Sequence, residues 1–128
     1  MSSVELDPFD LPDWVGGGSV SWATDAGLGG HRVAGCLSGP DGQTLPCDLL
    51  AVDQAYPAPV VDEGVRTRVH QTWRHGQVLL LTCEGRATVA TPGTSYSADL
   101  VLEAFTRVAR AVGADPARWS VHLGLGGD

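Results

Sequence analysis

The segment between residues 32 and 51 constrains the fold more than any other part of the chain. At its centre, Pro40-Asp41-Gly42 suits a type I turn whose glycine adopts the left-handed conformation, which makes a three-residue hairpin loop. Because the loop fixes how the flanking strands face each other, the sequence predicts an antiparallel hairpin of defined register. That register pairs Leu37 with Leu45, Gly35 with Cys47, and Val33 with Leu49.

The register also sorts the side chains of the hairpin onto two faces. Cys36 faces Pro46 and lies on the opposite face from Cys47, so we expect no disulfide between the two thiols. Proline cannot donate to a strand ladder, and a bulge at Pro46 would bring both thiols to one face. The predicted core face comprises Val33, Leu37, Leu45, Cys47, Leu49 and Ala51, and the other face comprises Arg32, Ser38, Thr44 and Asp48.

Two helices are expected in the second half of the chain. Asp62 can cap a helix that runs to about His75, and Ser97 can cap another that ends before Gly113. Each helix carries one apolar stripe at helical spacing. The stripes are Val65, Val69 and Trp73 in the first helix, and Val101, Phe105, Val108 and Val112 in the second.

Further strands are predicted at residues 20–23, 77–83, 86–91 and 121–125. Residues 78–81 are apolar at every position, which is typical of a strand buried on both faces. In the final strand, Val121 and Leu123 alternate with polar or small residues, so one side should be buried.

The resulting order, β-β-β-α-β-β-α-β, predicts an α+β fold with an antiparallel-rich sheet of about six strands. We expect both helices to pack against one face of this sheet, because no repeated βαβ unit indicates a doubly wound parallel sheet. A chain of 128 residues suits a single domain, expected at residues 19–125. Residues 1–18 contain two prolines and a run of three glycines, which predicts a flexible or loosely packed N-terminal arm.

The net charge of −7 argues against binding to nucleic acid. Five carboxylates precede the first basic residue, Arg32, and would repel a phosphate-rich partner. No apolar run approaches the length that spans a bilayer, and the acidic N-terminus is unlike a secretory signal. We therefore expect a cytoplasmic protein with no membrane partner.

No motif of the sequence indicates a catalytic centre, a metal site or a cofactor. A metal ion on a helix is bound by residues three or four positions apart, because these lie on one face. His70 and His75 are five positions apart and point to different faces. The glycine runs at residues 16–18 and 124–127 do not precede a helix, as a phosphate-binding loop requires. The three cysteines have no metal-ligand spacing and are expected to be small buried residues, with Cys36 the most exposed.

Residues 53–59 form the one loop whose composition suits a binding site. Asp53, Gln54 and Tyr56 offer a carboxylate, an amide and a phenol directly after a core strand, in a segment stiffened by two prolines. The alternative interpretation is a rigid connection between strand and helix, with Tyr56 packed over the core.

The chain has four tryptophans, more than the predicted helix stripes and strand faces require. Trp22 and Trp119 lie at the starts of strands, where partly exposed rings could contact a partner. The alternative is that all four rings complete a core that contains only two phenylalanines.

The predicted order of elements, over about residues 8–113, resembles the type III secretion chaperone-like fold, although the final strand departs from that fold. The resemblance implies a homodimer that binds other polypeptides and catalyses no reaction. Separately, the segments CDLLAVDQAYP and HGQVLL resemble parts of small uncharacterised actinobacterial proteins, and that resemblance implies no activity.

Two functional hypotheses follow from the sequence. The first is a non-enzymatic protein-interaction module, homodimeric, that acts as an adaptor, a chaperone or a regulator. The second is a small-molecule-binding domain or modest enzyme with its site near residues 53–59. A deep polar cavity would favour the second hypothesis, whereas a flat apolar patch or an open strand edge would favour the first.

Overall fold

The computed structural model describes residues 3–24, 28, 31–53 and 61–123, which form a mixed α+β fold. The strands are β1 (Ser3–Leu6), β2 (Val20–Thr24), β3 (Arg32–Val33), β4 (Cys36–Ser38), β5 (Thr44–Ala51), β6 (Leu79–Cys83), β7 (Arg86–Thr91) and β8 (Trp119–Leu123). The helices are α1 (Asp13–Gly17), α2 (Glu63–Arg74) and α3 (Ala98–Ala111), with short 3-10 helices at Pro8–Asp10 and Pro116–Arg118.

The eight strands form one open sheet in the order β1-β6-β7-β5-β4-β2-β8, and β3 also pairs with β5. The sheet is mixed, because β5 runs parallel to β7 and β2 runs parallel to β8. The prediction of an antiparallel-rich sheet of about six strands is therefore wrong in detail. The parallel pairing of β5 with β7 is possible because α2 and β6 supply the long crossover that such a pair needs.

The two additional strands arise at places that the sequence pattern did not show. β1 lies within the segment predicted to be an arm, and it pairs with β6 in antiparallel fashion. The first strand of the hairpin is interrupted at Ala34 and Gly35, which separates β3 from β4. A Cβ atom at Gly35 would lie 2.3 Å from the Trp22 ring, so only glycine fits beneath this indole.

The register predicted for the hairpin is confirmed. Gly42 has the expected positive φ of 84°. Cys36, Cys47 and Cys83 are free thiols, so the predicted absence of a disulfide is also confirmed. Both halves of the interrupted strand keep the same register, pairing Leu37 with Leu45, Cys36 with Pro46, and Val33 with Leu49.

The two long helices cover opposite faces of the sheet, which corrects the prediction that both pack against one face. The stripe of α3, including Phe105, packs with Leu49 and Leu80, whereas Val69 of α2 packs with Leu50 and Leu79. Neighbouring residues of a strand point to opposite faces, so these alternating partners separate the two helices. A strand such as β6, whose residues are apolar on both faces, is therefore covered by α3 on one face and by α2 on the other.

The predicted helix caps and core residues agree largely with the structure. The Asp62 side chain accepts a hydrogen bond from the Val65 N–H at 2.8 Å, and the Ser97 hydroxyl accepts one from the Leu100 N–H at 3.2 Å. Several of the residues predicted for the core face, the helix stripes and the last strand are only half-buried, among them Leu45, Val65, Trp73, Val112 and Leu123. The fully buried members include Val33, Leu37, Leu49, Val69, Leu80, Phe105 and Val108.

Candidate functional site

Asp53 lies just beyond β5, where the parallel strands β5 and β7 both end. Its Oδ1 accepts a hydrogen bond from Arg66 Nε at 3.2 Å and lies 2.6 Å from His70 Nε2. Its Oδ2 accepts a hydrogen bond from the Gly93 N–H at 2.7 Å. One carboxylate thereby ties α2 to the segment after β7, at the end of the sheet where ligands of open α/β sheets commonly bind.

The surroundings of Asp53 favour its ionised form. Partial burial by itself raises the pKa of this carboxyl, but the hydrogen bonds from His70 and Gly93 and the charges of His70 and Arg66 together lower the pKa below its ordinary value. The result is an ionised carboxylate beside a half-exposed imidazole. A carboxylate in this position can orient the His70 ring for proton transfer.

A surface cleft of about 550 Å³ adjoins this carboxylate–imidazole pair. Gln54 and Tyr56, the other two predicted site residues of the loop, lie outside the described residues. In the part of the chain that the structure describes, no group of three histidine, cysteine or acidic residues could hold a metal ion. The cleft is lined by Thr67, His70, Gln71, Trp73, Arg74 and Pro92.

Trp22 is completely buried, so the expectation that its ring is partly exposed is wrong. The indole Nε1–H donates a hydrogen bond to the Cys47 carbonyl at 2.7 Å, and its ring centroid lies 5.0 Å from that of Phe105. Trp22 is the central residue of β2 and lies on the buried face of that strand, which α3 covers. Trp22 is therefore a core residue and offers no surface to a partner.

Trp119 is half-buried at the start of β8, and its ring stacks on Phe105 with centroids 6.3 Å apart. Its Nε1 is buried and finds no hydrogen-bond acceptor among the described residues. The exposed part of the ring belongs to a half-buried apolar row that continues with Val121 and Leu123.

A second cluster of charged groups, which sequence reasoning missed, surrounds Asp48. This carboxylate is 1% exposed and accepts two hydrogen bonds from Arg86, at 2.9 and 3.0 Å, and one from Arg32 at 3.0 Å. The Gly35 N–H, which has no strand partner at the break between β3 and β4, donates to Asp48 Oδ1 at 3.1 Å. The predicted register had already placed Arg32 and Asp48 on one face, but nothing local indicates Arg86, which the parallel pairing of β5 with β7 brings near.

The partners of Asp48 keep its carboxyl ionised, and the neighbouring Cys47 thiol stays protonated. Burial raises the pKa of Asp48, but hydrogen bonds from Arg86, Arg32 and Gly35 outweigh it and lower the pKa below its ordinary value. Burial, followed by the charge of Asp48, raises the pKa of the neighbouring Cys47 thiol to about 12. A thiol that stays protonated at neutral pH is a poor nucleophile.

The two ends of the sheet are open. Within residues 3–24, 28, 31–53 and 61–123, no strand pairs with the outer edge of β1 or of β8. Two strongly exposed apolar side chains lie at the β1 end, Val4 at 67% and Phe9 at 82%. A cleft of about 430 Å³ and another of about 330 Å³ adjoin the same end, and both are lined in part by Glu5, Pro8, Val78 and Leu79.

None of the helices in the described ranges has the length and apolar character needed to cross a membrane.

Comparison of the chain with known protein families, with curated proteins and with solved structures found no match.

Proposed function

We propose that the protein is a non-enzymatic interaction module that binds an extended segment of another polypeptide along the free edge of β1. The observation that carries this proposal is the open edge itself, flanked by the exposed side chains of Val4 and Phe9. An adaptor, a chaperone-like protein or a regulator could each use such a surface.

Strand addition explains how a small edge can bind with useful affinity. The inner edge of β1 pairs with β6, and its outer edge presents backbone N–H and C=O groups to a further strand. In this mode of recognition the main chain supplies hydrogen bonds, whereas pockets for alternate side chains supply specificity.

The two clefts at the β1 end are suited to receive side chains of the added segment. Pro8, Val78 and Leu79 contribute apolar surface to both clefts, and Arg68, Arg107 and Arg110 also line the larger one. Phe9 directly follows Pro8 in the sequence, is 82% exposed and can bury a large apolar area in a complex. Exposed apolar groups next to concave surface are typical of protein-binding sites.

The acidic stretch that follows β1 favours a partner segment with basic residues next to it. Asp7, Asp10 and Asp13 are all exposed in the short stretch that follows β1. Glu5 is paired with Arg68 of α2, whose Nη2 donates a hydrogen bond to Glu5 Oε1 at 2.8 Å. Glu5 therefore adds less than the three aspartates to the negative charge at this end. Lysine or arginine residues flanking an apolar strand would complement this surface.

A displayed library of random peptides tests the proposal. Selection on the immobilised protein is expected to enrich peptides with alternating apolar residues and flanking basic residues. Substitution of Val4→Asp or Phe9→Ala is expected to weaken the binding of these peptides by about tenfold or more, because each removes an exposed anchor. The affinities are measured by titration calorimetry or fluorescence anisotropy.

Leu102→Ala provides the matched control, since Leu102 is a large apolar residue, 51% exposed, on the outer surface of α3. This variant should bind the enriched peptides as the parent does. Equal affinity of all three variants, or a library that yields no enrichment, would contradict the proposal.

The alternative, a small-molecule site, is favoured by one observation, the meeting of Asp53, Arg66 and His70 at the ends of two parallel strands. If a small ligand binds there, a fragment library should shift the amide NMR signals of Gly93 and His70 in a saturable way, and His70→Ala should abolish the shifts. Fragments that leave these signals unchanged would count against this second function.

A further inference from the structure

The strand at the opposite end of the sheet, β8, carries no charged carboxylate or arginine side chain, although the chain has a net charge of −7. Its inner edge pairs with β2, and its outer edge is free in the part of the chain that the structure describes. Natural edge strands usually carry charges or bulges that prevent pairing with another chain. β8 has neither feature over its five residues, all of which pair regularly with β2.

We propose that two copies of this chain form a dimer by pairing their β8 strands in antiparallel fashion about Val121. In this register Trp119 faces Leu123 of the second copy, and Ser120 faces His122 of the second copy. Both pairs occur twice because a twofold axis passes between the two Val121 residues. The inference concerns the opposite end of the sheet from β1 and does not depend on the proposed function.

The side chains of β8 suit this arrangement on both faces. Trp119, Val121 and Leu123 are half-buried on the face that α3 covers, and directly facing residues of an antiparallel pair project to the same face. The apolar row of one copy would therefore cover the exposed remainder of the row in the other. On the opposite face, Ser120 and His122 are exposed and would form polar pairs.

Charge explains why two copies should meet at β8 and not at β1. Pairing through β1 would place the exposed carboxylates of Asp7, Asp10 and Asp13 from both copies around one interface, and such an excess of like charge opposes association. The uncharged β8 edge carries no such penalty. The two ends of the sheet thus differ in the partner that they suit.

The register can be tested by exchanging charges at two exposed positions. In the double variant S120K/H122K, both facing pairs place lysine opposite lysine, so the dissociation constant of the dimer should rise about 10- to 30-fold. In S120K/H122E, both pairs place lysine opposite glutamate, so the dissociation constant should stay close to that of the parent. Sedimentation velocity of the full chain over micromolar concentrations measures all three proteins.

The two double variants are matched, because they alter the same exposed side chains and share one substitution. Circular dichroism and the melting temperature show whether each is folded, and Val4→Asp, at the other end of the sheet, should dimerise as the parent does. A parent protein that is monomeric throughout the concentration range overturns the proposal. Equal dissociation constants for the two double variants, or loss of the dimer in Val4→Asp, would also overturn it.

Discussion

Replacement of Phe105 with alanine is expected to lower the free energy of unfolding by about 3–5 kcal/mol. The side chain is 1% exposed, and its ring lies between Trp22 and Trp119, with centroids 5.0 and 6.3 Å away. Truncation removes the ring through which α3 contacts β2 and β8. It leaves a cavity that two rigid indole rings cannot collapse to fill.

Urea denaturation, followed by tryptophan fluorescence and by circular dichroism, measures this loss. Leu102→Ala is the control on the same helix, and because Leu102 is largely exposed its loss should be within about 0.5 kcal/mol. If Phe105→Ala unfolds at nearly the same urea concentration as the parent, α3 does not stabilise the sheet through this contact.

Replacement of Asp48 with alanine is expected to cost about 2–4 kcal/mol. The carboxylate accepts hydrogen bonds from Arg86, Arg32 and the Gly35 N–H, and its removal leaves these donors without their acceptor. Both arginine side chains are partly exposed, so water can solvate them in part, and this keeps the loss below that of a fully buried ion pair. Glu84→Ala, which removes an exposed carboxylate 3.8 Å from Arg32, should cost much less.

The same interactions make the stability contributed by Asp48 dependent on pH. The folded protein holds the pKa of Asp48 below its ordinary value, so this contribution is fully present above the unfolded pKa of about 3.9. It is lost as the pH falls from there through the folded pKa. The difference in unfolding free energy between the parent and Asp48→Asn should therefore be largest near neutral pH and should shrink in acid. A difference that stays constant between pH 7 and pH 3 would show that the charge of Asp48 contributes nothing.

Local chemistry made the hairpin and the helix caps predictable from the sequence. The turn at Pro40-Asp41-Gly42 fixes the register of the whole hairpin, because the first residue pair beside the turn determines every later pair. Asp62 and Ser97 accept hydrogen bonds from the first turn of their own helices, so the signal lies within three residues. Interactions of this kind do not depend on the rest of the fold.

The pairings that were not predicted join distant parts of the chain. β5 meets β7 in parallel only after a crossover, and this places Arg86 beside Asp48. Nothing in the composition of residues 3–6 distinguishes an edge strand from an arm. The apolar run at residues 78–81 does indicate a strand that is buried on both faces. Two helices on one face of the sheet cannot bury both faces of this strand. The run is therefore the one sequence pattern that indicates α2 and α3 on opposite faces.

The parallel pairing of β2 with β8 has a consequence for how the protein folds during synthesis. The two strands are about a hundred residues apart in the sequence, and β8 leaves the ribosome after all the other strands. Until then β2 is itself an edge, and the space beside Trp22 and Phe105 is incompletely covered. The half of the sheet made of β1, β6, β7 and β5 can assemble earlier, because in the described part of the chain none of its strands pairs with β8 or with β2, the neighbour of β8, and β5 joins this half to β4. Synthesis therefore separates the fold into an early half and a late half, and the late half stays exposed to association with other nascent chains until residues 119–123 arrive.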